Sequence, residues 1–168
     1  MKEYWDLYDK EGNFLHQTIL RGQTLPPFTY HLVVHLWIQS FQGRYLIQQR
    51  SSQTSSFQGY WSFTGGSALQ KENSYQAIVR ETQEELGIFI QEDILKTKPQ
   101  RILCQNYILD LFYLRQEETL IQKIKVGPEV QDVKWVSFQE IEKMRKENLF
   151  WDDEKLSLSI YSQHIHYG

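Results

Sequence analysis

The chain has 168 residues with a composition ordinary for a globular protein, and its formal net charge is −3. This length favours one domain, residues 1–168, with a substantial core, and the charge gives no basic excess for binding nucleic acid polymers. Cys104 is the only cysteine, which excludes an internal disulfide and favours a reducing compartment. The N-terminus lacks the apolar core of a signal peptide, and no apolar run reaches membrane-spanning length. We therefore expect a cytoplasmic protein without a membrane partner.

The first half of the chain is predicted to form strands. Alternating apolar residues and turn residues predict strands at 3–8, 14–20, 30–39 and 44–50. In the longest of them, Tyr30, Leu32, Val34, Leu36 and Ile38 share one face. A polar loop is expected at 51–60.

The second half alternates between helices and strands. A helix is predicted at 74–86, strands at 101–105, 107–115 and 130–137, and helices at 138–148 and 156–164. This order predicts an α/β fold with a mixed sheet and helices on both faces.

The helix at 74–86 crowds three carboxylates together. Glu81, Glu84 and Glu85 have i, i+3 and i+4 spacing, which places them on one narrow arc beside the packing face. Each like-charged pair costs roughly 0.2–0.5 kcal/mol of helix stability, and a divalent cation bound by oxygen ligands would offset that cost. The alternative is a solvated acidic face on which Arg80 pairs with Glu84.

The residues around this helix favour the metal-binding interpretation. Gly65 and Gly66 precede it without side chains that would block a ligand. Glu72 stands just before it, Asn73 or Ser74 can cap it, and Gly87 follows it as a terminator.

The whole stretch from Gly66 to Ile88 resembles the Nudix box, G-x5-E-x7-R-E-U-x-E-E-x-G-U, in which U is a bulky aliphatic residue. Two positions depart from the pattern. Thr82 stands where an aliphatic residue is expected, and Lys71 replaces the glycine often found before Glu72.

The resemblance implies a Nudix-type α/β/α sandwich and a metal-dependent hydrolase of diphosphate bonds. Its cofactor would be Mg²⁺ or Mn²⁺, and its partner a small-molecule diphosphate such as a nucleoside diphosphate linked to another group. It implies metal ligation by Gly65, Glu81, Glu84 and Glu85, and catalytic roles for Arg80, Glu81, Glu84 and Glu129. A homodimer is left open.

Arg50, Trp61 and Gly66 are the expected substrate-binding residues. Arg50 could hold a phosphate and Trp61 could stack on a base or a prenyl chain, although a surface arginine and a core tryptophan are equally good interpretations. For the distant acid, Glu117 and Glu118 compete with Glu129, and Lys123 and Lys125 are weaker phosphate candidates.

His31 and His35 share a strand face, but four residues of strand span about 13 Å, so one metal ion cannot bind both. Packing is the favoured interpretation of these two histidines.

Two other functions stay open. Segments 4–8, 31–38 and 59–61 look like the isopentenyl-diphosphate isomerase branch of the superfamily. In that branch a cysteine and a histidine stand where this chain has Gly65 and Ser67, and only His31 keeps a metal-histidine position. A catalytically silent nucleotide-binding module is the third candidate. Since every acidic residue of the box is present, hydrolysis is favoured.

Overall fold

The computed structural model describes residues 2–94 and 96–151. The strands in this part of the chain are β1 Tyr4–Tyr8, β2 Phe14–Leu20, β3 His31–Ser40, β4 Tyr45–Arg50, β5 Trp61–Ser62, β6 Thr64–Ser67, β7 Gln100–Leu103, β8 Tyr107–Gln116 and β9 Val130–Val136. The helices are α1 Ser74–Leu86, α2 Gln91–Ile94, a 3-10 helix Glu118–Lys123, and α3 Phe138–Lys146. The helix predicted at 156–164 lies outside the described residues.

Seven strands form one mixed sheet in the order β5-β4-β3-β8-β7, with β6 also paired to β3 and β9 to β4. β3 and β8 run parallel, and the other pairs are antiparallel. Because α1 lies between β6 and β8 in the chain, it belongs to the connection that makes the central pair parallel. The predicted α/β fold with a mixed sheet is confirmed. No helix within residues 2–94 and 96–151 is long and apolar enough to cross a bilayer.

Two apolar layers cover the sheet. On one face, α1 packs through Ala77, Ile78 and Leu86 against the predicted apolar face of β3 and against β8. On the other face, α3 packs through Ile141 and Met144 against a second cluster that includes Trp37. Both faces of β3 are thus buried, which accounts for its nearly unbroken run of apolar residues.

The ends of α1 follow the sequence prediction. Asn73 is the N-cap, and its side chain accepts a hydrogen bond from the backbone N–H of Gln76 in a capping box. Gly87 ends the helix in the left-handed conformation, with φ 65°.

Thr82 is fully buried, and its hydroxyl donates to the Ile78 carbonyl at 2.7 Å, so the departure from the aliphatic pattern is accommodated inside the helix.

The short strands β5 and β6 were missed by the sequence prediction. Gly65 and Gly66 lie in β6, paired to His35 and Val34 of β3. Glycine is depleted in strands and these strands are only two and four residues long, so neither propensity nor alternation indicates them.

The N-terminal hairpin β1–β2 forms a separate two-stranded sheet. It is docked on the segment that leads into α1, because the backbone N–H of Gln70 donates to the Tyr4 carbonyl and that of Lys71 donates to Asp6 Oδ2, each at 2.8 Å. Lys71, in the position where the box often has glycine, has φ 70°. The hairpin is therefore anchored directly beside the acidic helix.

His31 is buried at the junction of the hairpin and the sheet. Its ring stacks on Trp5 with centroids 4.0 Å apart, and only 8% of the residue is exposed. Burial, assisted by the positive charge of Arg21, lowers the pKa of His31 to about 4. The packing interpretation of His31 agrees with this placement.

Acid is expected to destabilise the protein through His31. The folded-state pKa near 4 lies below the ordinary 6.5, so the unfolded chain binds the extra proton and stability falls as the pH drops from about 6.5 to 4, by up to about 3 kcal/mol. Denaturant unfolding of the protein and of His31→Phe across this range measures the difference, and the variant should show the shallower slope. His16→Gln, on exposed β2, is the control, and equal slopes for the protein and His31→Phe would contradict the prediction.

Candidate active site

One cavity of about 370 Å³ brings most of the sequence-predicted residues together. Eight of them line it: Arg50, Gly65, Gly66, Arg80, Glu81, Glu84, Glu85 and Glu129. Its wall therefore combines the acidic helix, the glycine pair and two segments distant in sequence.

The two glycines let the helix approach the sheet. A Cβ on Gly65 would lie 2.2 Å from the Val34 carbonyl oxygen, and one on Gly66 would lie 2.4 Å from Glu81 Oε1. Any side chain at either position would displace the backbone of β3 or the carboxylate of Glu81. The glycine pair is therefore required by close packing and leaves the cavity floor open.

Arg80 organises the carboxylates. Its Nε and Nη2 donate to the two oxygens of Glu72 at 2.7 and 2.9 Å, and Nη1 donates to Glu81 and Glu84 at 2.9 and 3.0 Å. Nη2 also donates to the Ser67 carbonyl at 3.1 Å. The planar guanidinium thus holds three acids and the glycine strand in one arrangement.

Glu72 has a larger part in this arrangement than its distance from the acidic arc indicates. Burial by itself raises the pKa of Glu72, but hydrogen bonds from Arg80 and from the backbone N–H of Leu69 outweigh burial, and the pKa is lowered. The carboxylate is therefore fixed in the charged form that holds Arg80.

Glu85 is buried, although the sequence places it with Glu81 and Glu84 on one arc beside the packing face of α1. It is only 5% exposed, and it accepts a hydrogen bond from the backbone N–H of Gly65 at 3.1 Å. Burial, followed by repulsion from Glu81, raises the pKa of Glu85 to about 8, although Gln48, Gly65 and Arg50 act in the opposite direction. The periodicity places Glu85 beside Glu84 correctly, but β6 covers it.

Glu81 is also largely buried, and Glu84 is not. Burial raises the pKa of Glu81, repulsion by Glu84 and Glu129 adds to this, and Arg80 opposes it. The side chain of Glu84 is 59% exposed at the cavity mouth. The raised pKa values of the two buried acids, Glu81 and Glu85, show that their negative charges are not fully balanced by nearby positive charge.

Glu129 reaches this cavity because the loop before β9 is docked on the end of α1. The backbone N–H of Gly127 donates to the Glu85 carbonyl and that of Lys125 to the Leu86 carbonyl, both at 3.0 Å. The competing acid Glu118 instead pairs with Arg44, and neither Glu117 nor Glu118 lines the cavity.

Of the two remaining substrate-binding candidates, Arg50 lies at the cavity and Trp61 lies elsewhere. Arg50 lines the cavity, and its Nε donates to the Ser56 carbonyl at 3.0 Å. Trp61 lies in the core cluster beneath α3, is 9% exposed, and has Lys134 Nζ 4.2 Å from its ring centroid. Trp61 therefore does not line the cavity, and neither do Lys123 and Lys125.

The donor set suits a hard divalent cation, although its carboxylates are not gathered around one point. Within residues 2–94 and 96–151, no three side chains of His, Cys, Asp or Glu are close enough together to hold one metal ion. Two of the acids are turned to Arg80. Buried oxygen donors with raised pKa values fit Mg²⁺ or Mn²⁺ chemically, and binding would require the acids to reorient.

Most of the chain is similar to proteins of one family. Residues 29–157 match the model of the NUDIX domain. An uncharacterized Nudix hydrolase of Listeria monocytogenes is 33% identical over 149 residues, which cover 88% of each chain. A Nudix hydrolase of Listeria innocua has the same identity over 150 residues.

Solved structures share the fold at lower identity. A Deinococcus radiodurans protein superposes with a TM-score of 0.75 at 20% identity, covering 93% of this chain and 96% of that one. A bifunctional NMN adenylyltransferase/ADP ribose pyrophosphatase of Francisella tularensis, complexed with AMP and a Mn ion, has a TM-score of 0.62 at 20% identity. It is matched over 43% of its length and 84% of this chain. The match to the NUDIX model and the 33% identity to the two Listeria proteins show that the chain belongs to the Nudix hydrolase family.

Proposed function

We propose that this chain is a divalent-metal-dependent hydrolase that cleaves the diphosphate bond of nucleoside-diphosphate-linked or similar organic diphosphates. The observation that carries the proposal is the meeting of Glu81, Glu84, Glu85, Glu129 and Arg50 in one cavity. Two structural neighbours support the substrate class: the Francisella protein named above and a Caenorhabditis elegans Ap4A hydrolase with a TM-score of 0.57 at 19% identity. The proposal includes one domain spanning residues 1–168 and a cytoplasmic location.

Glu81, Glu84, Glu85 and the Gly65 carbonyl would hold Mg²⁺ or Mn²⁺. When bound, the metal supplies positive charge that polarises the phosphoryl oxygens and lowers the pKa of water. Arg80 orients Glu81 and Glu84, and its tie to Glu72 keeps it in place. Gly66, which gives the Glu81 carboxylate room, would line the space for the diphosphate.

Glu129 is the proposed acceptor of the water proton. It enters the cavity from the loop before β9, outside the Arg80 network, and can act on a water while the helix acids bind metal. Arg50 has donors beyond the Nε bonded to Ser56, and these can bind a phosphoryl oxygen.

The cavity favours hydrolysis over isomerisation. Gly65 and Ser67, which stand at the cysteine and histidine positions of the isomerase branch, both line the cavity. Cys104 is 7% exposed in a separate cluster with Val33, Tyr107 and Leu109. The cavity therefore has no thiol among its described lining residues.

Metal ions are expected to stabilise the fold. Raising Mg²⁺ or Mn²⁺ to a hundred times its Kd should add about 2.7 kcal/mol to the free energy of unfolding, because the cation offsets repulsion among Glu81, Glu84 and Glu85. Calorimetry with metal and with EDTA measures the shift in the thermal midpoint. A Glu84→Gln, Glu85→Gln double variant should lose most of the shift, and identical midpoints for the unaltered protein at millimolar metal would contradict a metal site here.

Removal of single helix carboxylates should abolish most hydrolysis. Glu84→Gln and Glu85→Gln are expected to lower kcat/KM by roughly two to four decades while the fold persists, because each amide keeps the shape and removes a charged ligand. Glu72→Gln should cost less, since Glu72 acts through Arg80. The measurement is kcat/KM for a nucleoside-diphosphate sugar beside a melting curve.

Glu142→Gln is the control for these variants, because this glutamate lies on α3 away from the cavity. Activity near that of the control in both Glu84→Gln and Glu85→Gln would remove the box from the mechanism.

Isopentenyl diphosphate is not expected to be isomerised. The reason is the absence of a thiol from the cavity lining, and product formation or proton exchange with purified protein and Mg²⁺ measures it. Turnover at ordinary enzymatic rates that disappears in Cys104→Ala would reverse the choice between hydrolase and isomerase.

A further inference from the structure

The N-terminal hairpin contributes a pair of opposite charges to the wall of the cavity. Glu3 stands just before β1 and Arg21 just after β2, and both line the cavity although they precede the residues that match the NUDIX model. Their side chains form an ion pair through Arg21 Nη1 and Glu3 Oε2. The backbone N–H of Arg21 also donates to the Glu3 carbonyl at 2.9 Å, so the two residues are joined through both backbone and side chain.

These charges are held in a defined place relative to α1. The hairpin is fixed by the hydrogen bonds from Gln70 and Lys71 described above and by the stack of Trp5 on His31. Gln70 and Lys71 lie between the glycine strand and α1. Glu3 and Arg21 therefore keep their positions opposite the acidic helix while the hairpin stays docked.

Arg21 is available to a ligand in a way that Arg80 is not. Arg80 is committed to Glu72, Glu81 and Glu84. Within residues 2–94 and 96–151, Arg21 makes one ion pair, and the side chains of Arg21 and Glu3 in that pair are 55% and 41% exposed. Exposed pairs of this kind contribute only about 0–1 kcal/mol, so a phosphate can displace Glu3 from Arg21.

Displacement does not remove Glu3 from the cavity wall. Its backbone remains tied to Arg21 by the hydrogen bond from the Arg21 N–H, so we expect its carboxylate to stay near any group that Arg21 holds. A diphosphate diester has a single negative charge on each phosphorus, whereas a triphosphate adds a terminal phosphate of higher charge. Glu3 opposes the triphosphate twice, by repulsion and by competition for Arg21.

We propose that the Glu3–Arg21 pair selects substrates by charge, so that the cavity accepts organic diphosphate diesters in preference to nucleoside triphosphates. This inference rests on the proposed hydrolysis of organic diphosphates and adds the substrate class. Glu3 is a specificity-determining residue, supplied by a hairpin outside the matched domain.

Titration calorimetry with non-cleavable methylene analogues of ADP-ribose and ATP, in Mg²⁺, tests the proposal on the full chain. Glu3→Gln should raise the affinity for the ATP analogue about threefold to fivefold, the upper range of one exposed charge interaction, and change the affinity for the ADP-ribose analogue by less than about twofold. The gain should shrink when the salt concentration rises from about 50 to 500 mM. A merely structural role for Glu3 would show no such salt dependence.

Glu118→Gln is the control, since it breaks another arginine–glutamate pair, with Arg44, that is partly exposed and lies away from the cavity. It should leave both affinities unchanged. Arg21→Gln should weaken both analogues, and the ATP analogue more, because Glu3 is then left without its partner.

Equal effects of Glu3→Gln on the two analogues, no effect on either, or no binding of either analogue would overturn the proposal. Turnover of ADP-ribose and ATP by the unaltered protein reports separately on hydrolysis. Charge-selective binding without turnover would remove the proposed hydrolysis and leave the charge selection standing.

Discussion

The arrangement of the cavity depends on one guanidinium. Arg80 holds both carboxylate oxygens of Glu72 through two hydrogen bonds, and with its other N–H groups it donates to Glu81, Glu84 and the Ser67 carbonyl. A lysine has one charged nitrogen without a fixed fork and could not hold partners on different sides in one plane. Because the partners belong to the glycine strand, the turn before α1 and α1 itself, Arg80 fixes these three segments relative to one another.

The hydrogen bonds from Arg80 help to explain how Glu81 can be buried beside Glu84 in a small cavity. Glu85 and Glu81 lie among the core, the glycine strand and the docked loop, and burial raises both of their pKa values. Arg80 donates to Glu81 and Glu84 but not to Glu85. Arg50 offsets the negative charge of Glu85 only in part, since the pKa of Glu85 stays raised to about 8. A bound cation would stabilise the charged form of such buried carboxylates. The crowding of acids in the cavity is thus the physical reason to expect the metal-dependent chemistry proposed for it.

Those parts of the fold and of the cavity that depend on residues within one helix or strand could be predicted from the sequence. The helix caps Asn73 and Gly87, the apolar face of β3 and the arc of Glu81, Glu84 and Glu85 follow from spacing along one element. Spacing along α1 does not show which segment covers the arc of acids. Glu85 is buried because β6 packs on it, and β6 is a glycine-rich strand whose sequence has no strand-like alternation. Trp61 has the residue type of a stacking platform, yet its ring packs beneath α3. The hairpin charges Glu3 and Arg21 carried no signal, because only the docking of the hairpin beside α1 brings them to the cavity.

Both ends of α1 show why such distant segments meet. A helix leaves its last carbonyls without internal partners, and here the backbone N–H groups of Lys125 and Gly127 bind the carbonyls of Leu86 and Glu85. A side chain on Gly127 could not fit, since its Cβ would lie 1.9 Å from the Glu84 carbonyl oxygen. The hydrogen bonds to the last carbonyls of α1 therefore also place Glu129, two residues after Gly127, in the cavity. At the other end, the backbone of the turn before α1 is satisfied by β1, which places Glu3 and Arg21. The hydrogen bonds that complete the backbone at the two ends of α1 are thus the same ones that bring Glu129, Glu3 and Arg21 to the cavity.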